Sequence, residues 1–209
     1  MRKFLLNAAL AAALLPVASS VTQAAEAPPF GATTVDPRAA TAGTYSVDPT
    51  HATVLAQVKH LGFSTTYIRF DGLSGSITYD PKSPATSTAN ITIDAKGLES
   101  GFALRNEHLR GEAWFNVAAH PNILFKSSKL IVTGKRTARL SGELTMLGVT
   151  KPVSLNVTFN GYGMGMDKAP RVGLTASTTI RRSDFGMKTF MGPVSDEVRI
   201  EIEAEFSKK

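Results

Sequence analysis

The 209-residue chain contains no cysteine, so disulfides, thiolate metal sites and a cysteine nucleophile are excluded, and an ordinary apolar core must hold the fold. Aromatic residues are scarce, with one Trp and four Tyr. That supply is too small for the two aromatic girdles of an outer-membrane barrel, an alternative that alternating strands alone leave open. Neither sign of charge dominates: 23 Lys and Arg face 17 Asp and Glu, for a net charge of +6. The two signs are interleaved, and nucleic-acid binding, which wants a clustered basic stripe, is not expected.

Only one long apolar run is present. Arg2 and Lys3 precede Phe4 to Leu15, followed by Pro16 and small residues up to Ala24, Ala25 and Ala27. The run is shorter than the roughly 20 residues a membrane-spanning helix needs. It reads as a secretory signal peptide over residues 1–24, with cleavage after Ala24 or as late as Ala27, and it predicts a periplasmic protein. Removing it takes two basic residues and at most Glu26, leaving 21 basic against 17 or 16 acidic. Residues 25–43, rich in Pro, Ala and Thr and without apolar periodicity, read as a flexible linker.

From Thr44 onward the apolar residues alternate with period two, the pattern of half-buried antiparallel strands. Val198, Ile200, Ile202, Ala204 and Phe206 share one face, while Glu197, Arg199, Glu201, Glu203 and Glu205 share the other. The same reading predicts strands over 53–60, 66–70, 73–79, 89–95, 123–131, 138–146, 153–160 and 172–180. Asp71-Gly72, Asp80-Pro81, Gly134-Lys135 and Gly148 supply turn chemistry between them. Only 102–109 lacks alternation and is rich in helix formers, which predicts a short helix crossing one end of the sheet. The fold class is therefore all-β: an antiparallel barrel of about eight strands with one or two short helices, closure being the way to remove exposed edges. Small residues at expected inward positions, Ala56, Gly75, Ala89, Ala95, Gly142 and Ala176, leave volume that neighbours fill or a small ligand occupies.

Several motifs, taken as a set and in order, are specific. They are Tyr45-Ser-Val-Asp48-Pro-Thr-His51, Val58-Lys-His60-Leu-Gly62, Arg105-Asn-Glu-His108-Leu109, Phe115 to Pro121 with Phe125, Gly142-Glu-Leu144, Gly148-Val-Thr150 and Arg182-Ser-Asp184-Phe-Gly186. Over residues 44 to about 206 the chain resembles the YceI-like family of secreted proteins that bind polyisoprenoids and related lipids in a lipocalin-like barrel. It departs from that family's pattern at His51-Ala52, where His-Ser is common, at Asn106, where Asp is common, and at Ala56 and Ile68, which change the expected cavity outline. The resemblance implies that 44–209 is a lipid-binding domain whose cargo is a long-chain isoprenoid or related amphiphile, such as an isoprenoid quinone or a polyprenyl phosphate. Expected ligand-lining positions are Val54, Ala56, Val58, Ile68, Ile91, Ile93, Phe125, Leu144, Leu155, Val157, Leu174, Ala176, Ile200 and Ile202. Expected head-group or rim residues are His60, Arg105, His108, Arg182 and Asp184. Transient contact with a membrane surface and a homodimer stay open.

Each polar candidate also has a structural reading. Four histidines show no His-x-x-x-His, His-Glu-x-x-His or His-x-His spacing, so no metal site is expected. Arg105 and His108, three apart, share one side of a helical turn and could meet a phosphate or a quinone oxygen or simply tie the helix down. Arg181 or Arg182 with Asp184 reads more simply as a local ion pair. His120 before Pro121 reads as a solvated turn residue. No cofactor and no catalytic set are expected, because Gly-x-Ser-x-Gly, the P-loop and Gly-x-Gly-x-x-Gly after a strand are missing. An enzyme acting on an isoprenoid or quinone through His60, His108 or Asp184 remains the alternative, as does a filled barrel used for protein interaction. Gly161-Tyr-Gly163-Met-Gly165-Met reads as a hairpin loop, a flap whose Met164 and Met166 could touch an oily ligand.

Overall fold

The computed structural model describes residues 33–208, so the expected signal peptide and the first part of the expected linker lie outside the described residues. Nine strands form one antiparallel sheet: β1 (Gly43–His60), β2 (Ser64–Phe70), β3 (Leu73–Tyr79), β4 (Thr88–Asp94), β5 (Asn122–Val132), β6 (Thr137–Met146), β7 (Val149–Met164), β8 (Pro170–Arg181) and β9 (Val194–Lys208). Neighbours pair in the order β2-β1-β3-β4-β5-β6-β7-β8-β9, and β1 also pairs with β9, which closes the sheet. β2 and β3 lie end to end along the same edge of β1, β2 against Val54–His60 and β3 against Gly43–Ser46, so the closed barrel has eight staves.

The change of partner along β1 has a local cause. The ladder to β9 slips between Val47 and Ala52, a bulge made of Asp48-Pro49-Thr50-His51. Pro49 has no N–H to give a ladder, and Asp48 folds the bulge onto itself by accepting from Thr50 N (3.0 Å) and Thr50 Oγ1 (2.6 Å). Opposite it, Asp71-Gly72 breaks the partner strand into β2 and β3, and Thr53 Oγ1 donates to Asp71 Oδ1 at 2.8 Å. The alternation reading therefore placed the start of β1 ten residues late, because bulge and proline interrupt the period.

The apolar faces turn inward. Along β9, Val198, Ala204 and Phe206 are buried, whereas Glu197, Arg199 and Glu203 are exposed. The chain between β4 and β5 crosses one end of this barrel and carries the helix α1 (Ala103–Arg110). Leu98, Leu109 and Phe115 anchor that crossing, with Phe115 edge-on to Phe70 at 5.5 Å between centroids. At the opposite end the sequence reading needs correction: residues 33–42 are docked rather than free. Thr34 and Tyr162 exchange two backbone hydrogen bonds (2.9 and 2.8 Å), Tyr79 donates its hydroxyl to Pro37 O at 3.1 Å, and Ala40 is buried. Their lack of periodicity reflects one strap laid across a barrel end, which needs no repeating face.

Candidate functional site

The inward residues do not fill the barrel. They enclose a cavity of about 620 Å³, and all fourteen apolar positions expected to face inward stand on its wall. Of the small residues, Ala56, Ala89 and Ala176 line it. The other three do not: Phe125 covers Gly142, its ring 2.7 Å from where a Cβ would sit, Gly75 is exposed, and Ala95 is buried in a 3-10 turn outside the lumen. A second cavity, about 740 Å³, lies beneath the 33–42 strap and shares five wall residues with the first, Ile77, Ala89, Leu140, Val157 and Leu174.

Polarity is confined to one end. The polar side chains on the wall are His60, Ser64, Thr66, Arg105, His108, Thr178 and Arg182, and no carboxylate is among them. His60 and Ser64 flank the β1–β2 turn, Arg105 and His108 lie on α1, and Thr178 and Arg182 stand at the end of β8. These elements meet at the barrel end that α1 crosses: Leu61 N donates to Pro193 O (2.7 Å) and Thr189 Oγ1 to Ala113 O (2.5 Å). This end is the mouth.

The mouth arginines differ in what their donors already do. Arg182 is 2% exposed, and its guanidinium donates to four backbone carbonyls, those of Ser195, Met187, Thr189 and Val194, at 2.8 to 3.0 Å. It also lies over the Trp114 ring at 5.5 Å. Burial pulls its pKa down, and Asp196 partly opposes that. Arg182 therefore clamps the β8–β9 loop, and the ion pair with Asp184 does not form. Asp184 is exposed, is absent from the cavity wall, and drops out of the rim set; Asp196, not Asp184, accepts from Ser183 (2.9 and 2.8 Å). Arg105 donates through Nε and Nη2 to Ser100 Oγ (2.9 Å) and Ser100 O (2.6 Å) and faces the Phe102 ring at 5.9 Å. Among the described residues, Nη1 has no hydrogen-bond partner. His60 and His108 are exposed at the rim and, among the described residues, make no side-chain hydrogen bond to the protein.

Asn106, which replaces the common aspartate, is buried and accepts from Ser100 N (2.8 Å) and Ser100 Oγ (2.6 Å) while donating to Glu99 Oε1 (2.8 Å). The bond from Asn106, with a second from Gly101 N (2.6 Å), holds the carboxyl of Glu99 below its usual pKa. The negative charge lost at 106 thus stands one contact away, at Glu99.

His51 belongs elsewhere. Its Nδ1 is 3.0 Å from Asp48 Oδ2, in a cluster with Glu205 whose ligand-capable atoms lie within 4.8 Å of one another. Arg171 already stands in this cluster, bonded to Asp48 and 3.3 Å from Glu205 Oε2. The hydrogen bonds from Thr50, His51 and Arg171 hold the Asp48 carboxyl well below the usual carboxylate range. Met164 and Met166, placed by the sequence in a flap over the ligand, are exposed on the β7–β8 hairpin at the strap end and line neither cavity. Conversely, Phe102, Trp114, Met187 and Phe190 line the mouth cavity and escaped the sequence reading. They sit in irregular segments where period two is mute; the lone tryptophan of the chain was the available signal.

The family model for the YceI-like domain matches residues 45–206, nearly the whole barrel. The chain belongs to the YceI-like family. A UPF0312 protein of Shewanella putrefaciens is 33% identical over 182 residues, covering 86% of this chain and 95% of the relative. One from Pseudomonas aeruginosa is 35% identical over 168 residues, 79% of this chain and 87% of its own. Among solved structures, Burkholderia cenocepacia BcnA superposes with a TM-score of 0.68 at 26% identity, covering 76% of this chain and 98% of that one. The Campylobacter jejuni YCEI protein gives 0.66 at 27%, covering 72% and 90%. A polyisoprenoid binding domain from Saccharophagus degradans gives 0.61 at 18% over 79% and 98%, a likeness of fold.

Proposed function

We propose that this YceI-like chain is an exported, periplasmic carrier that holds one long-chain isoprenoid or related amphiphile, tail in the lumen and head at the mouth. The observation that carries it is the segregation of the cavity: hydrocarbon walls along its depth, and His60, Arg105 and His108 together at its α1 end. The fold it shares with a polyisoprenoid binding domain supports the same reading.

Size sets the cargo. An apolar cavity of about 150 Å³ takes a benzene, so about 620 Å³ corresponds to about 25 carbons, or about five isoprene units. Each unit contributes on the order of 4 kcal/mol of gross burial, against about 1.5 to 3 kcal/mol for a charge-assisted hydrogen bond. Tail burial therefore sets affinity, and the mouth sets orientation and selectivity. The unpartnered Nη1 of Arg105 and the free imidazoles suit a phosphate or carbonyl oxygen. They stand without a carboxylate to relay a proton, which favours binding over turnover.

Organic extraction of the protein purified from its native compartment, followed by mass spectrometry, tests the proposal. A prenyl lipid at near one per chain is the expected result. Protein that is lipid-free when purified, and that takes up no prenol or prenyl phosphate added in detergent, overturns it.

A further inference from the structure

Thirteen large apolar side chains are exposed among the described residues, and six of them, Leu61, Phe63, Phe102, Leu104, Phe190 and Met191, stand on the three segments that surround the mouth. Phe63 is 88% and Phe190 65% exposed. Two of the six occupy backbone positions that disfavour them. Phe63 N donates to His60 O (3.0 Å), closing a turn in which Leu61 has φ 51° and Gly62 φ 76°, a geometry that asks for Asn or Gly at both places. Phe190 likewise has φ 51°. A β-carbon in the left-handed region carries a steric penalty. Leu61 stays 54% exposed, and Phe190, which meets Trp114 at 6.3 Å between ring centroids, stays 65% exposed, so little burial offsets it.

The same segments are basic. Residues 59–63, 102–106 and 187–192, which carry the apolar tips, contain Lys59, Arg105 and Lys188 and no Asp or Glu; Glu99, Glu107 and Glu112 lie before and after the tip on the crossing segment, and Asp184 and Asp196 flank the third. The ring is also continuous with the lumen, since Phe102 and Phe190 line the cavity while His60 and Ser64, which bracket Leu61 and Phe63, do so too.

We infer that the mouth ring is a membrane-docking surface: the three apolar loop tips enter the outer part of a bilayer, and Lys59, Arg105 and Lys188 meet anionic head groups. The inference rests on the carrier reading, because it supplies the step that reading leaves open, how a water-insoluble chain passes between bilayer and lumen without crossing water. Separate convex tips around an opening suit insertion among lipid head groups. A second copy seated there would instead seal both mouths, which would close the route by which a lipid enters or leaves.

The test is flotation of the purified chain with ligand-free vesicles of phosphatidylcholine alone or with a minority of phosphatidylglycerol. Wild type is expected to float with the anionic vesicles and to be released by salt. The variant Leu61→Asn, Phe63→Ser, Phe190→Asn is expected to lose about tenfold or more of that binding, since it removes most of the insertable apolar area. Asparagine suits both left-handed positions, so its melting temperature should hold or rise. Docking is overturned if the triple variant floats like wild type, if wild type floats with neither vesicle, or if wild type is a stable dimer that the triple variant splits into monomers. Vesicle binding that persists in protein with no extractable lipid and no prenol uptake supports docking while sinking the carrier reading.

Discussion

Ala56 and Ala176 carry the sharpest residue-scale consequence. Both line the lumen, and Ala56 pairs across the ladders with Ile68 and Ile200. A phenylalanine at either place takes space from the tail, and loss of room for one isoprene unit removes on the order of 4 kcal/mol of gross burial. Allowing for repacking, Ala56→Phe or Ala176→Phe is expected to lower prenyl-lipid retention at least about tenfold, measured by extraction and mass spectrometry. The lipid-free melting temperature should stay level or rise, because the ring fills a void. His108→Ala should change head-group selectivity more than retention, read as the ratio of prenol to prenyl phosphate recovered. These positions were legible in the sequence because parity alone puts them on the inner face. Asp184 was misplaced for the opposite reason: it sits on a 3-10 turn after β8, where strand parity has ended.

Asp48 gives a pH-dependent counterpart. Its carboxyl titrates below the ordinary aspartate value of about 3.9 because Thr50, His51 and Arg171 bond the charged form. The unfolded chain therefore binds the proton more readily, so this stabilisation is present above about pH 4 and fades as pH falls toward the lower folded value. Asp48→Asn is expected to lower urea-unfolding stability by about 1 kcal/mol at pH 7, with the deficit shrinking below pH 4. A deficit equal at pH 7 and pH 2.5 would show that packing of the bulge, and not the charge, supplies the effect.

At the scale of elements, the barrel depends on places where regularity stops. The bulge at 48–51 lets one strand serve two partners, and the Arg182 clamp fixes a loop that has no repeating pattern of its own. Removing the guanidinium strands four carbonyls in a buried site, so Arg182→Met should cost about 3 kcal/mol in denaturant unfolding. Phe190 and Met187 would then lose their fixed place at the mouth. The strap makes a separate, weaker contribution. Deleting residues 33–42 removes two backbone hydrogen bonds to Tyr162, the bond from Tyr79 to Pro37 O and the burial of Ala40, about 2 kcal/mol in all. For a domain of this size that lowers the melting temperature by about 4 to 8 °C. Strands announce themselves by period two over several residues, whereas bulges, clamps and straps depend on contacts between segments far apart in the chain. That is why the eight-stave barrel could be anticipated while Trp114, Phe102 and the docked 33–42 segment could not.

For the molecule as a whole, a hollow barrel leaves apolar walls without partner atoms until something occupies it. Contacts absent on one side of a wall are stability withheld, and an occupant restores them. A ligand that binds only the folded state adds RT ln(1 + [L]/Kd), about 2.7 kcal/mol at a hundredfold excess over Kd. Wild-type protein stripped of lipid should therefore melt about 5 to 10 °C below the same protein reloaded with a prenol of about five units. The length dependence separates two states of the lumen. If the shared wall at Leu140 and Val157 stays closed, the shift should rise with chain length and level off near five units. If that wall yields, tails continue into the cavity under the strap, the shift keeps rising beyond five units, and deleting the strap should change it for long prenols while leaving short ones alone. A shift independent of chain length from two units to ten would mean that the head group, not the tail, holds the cargo.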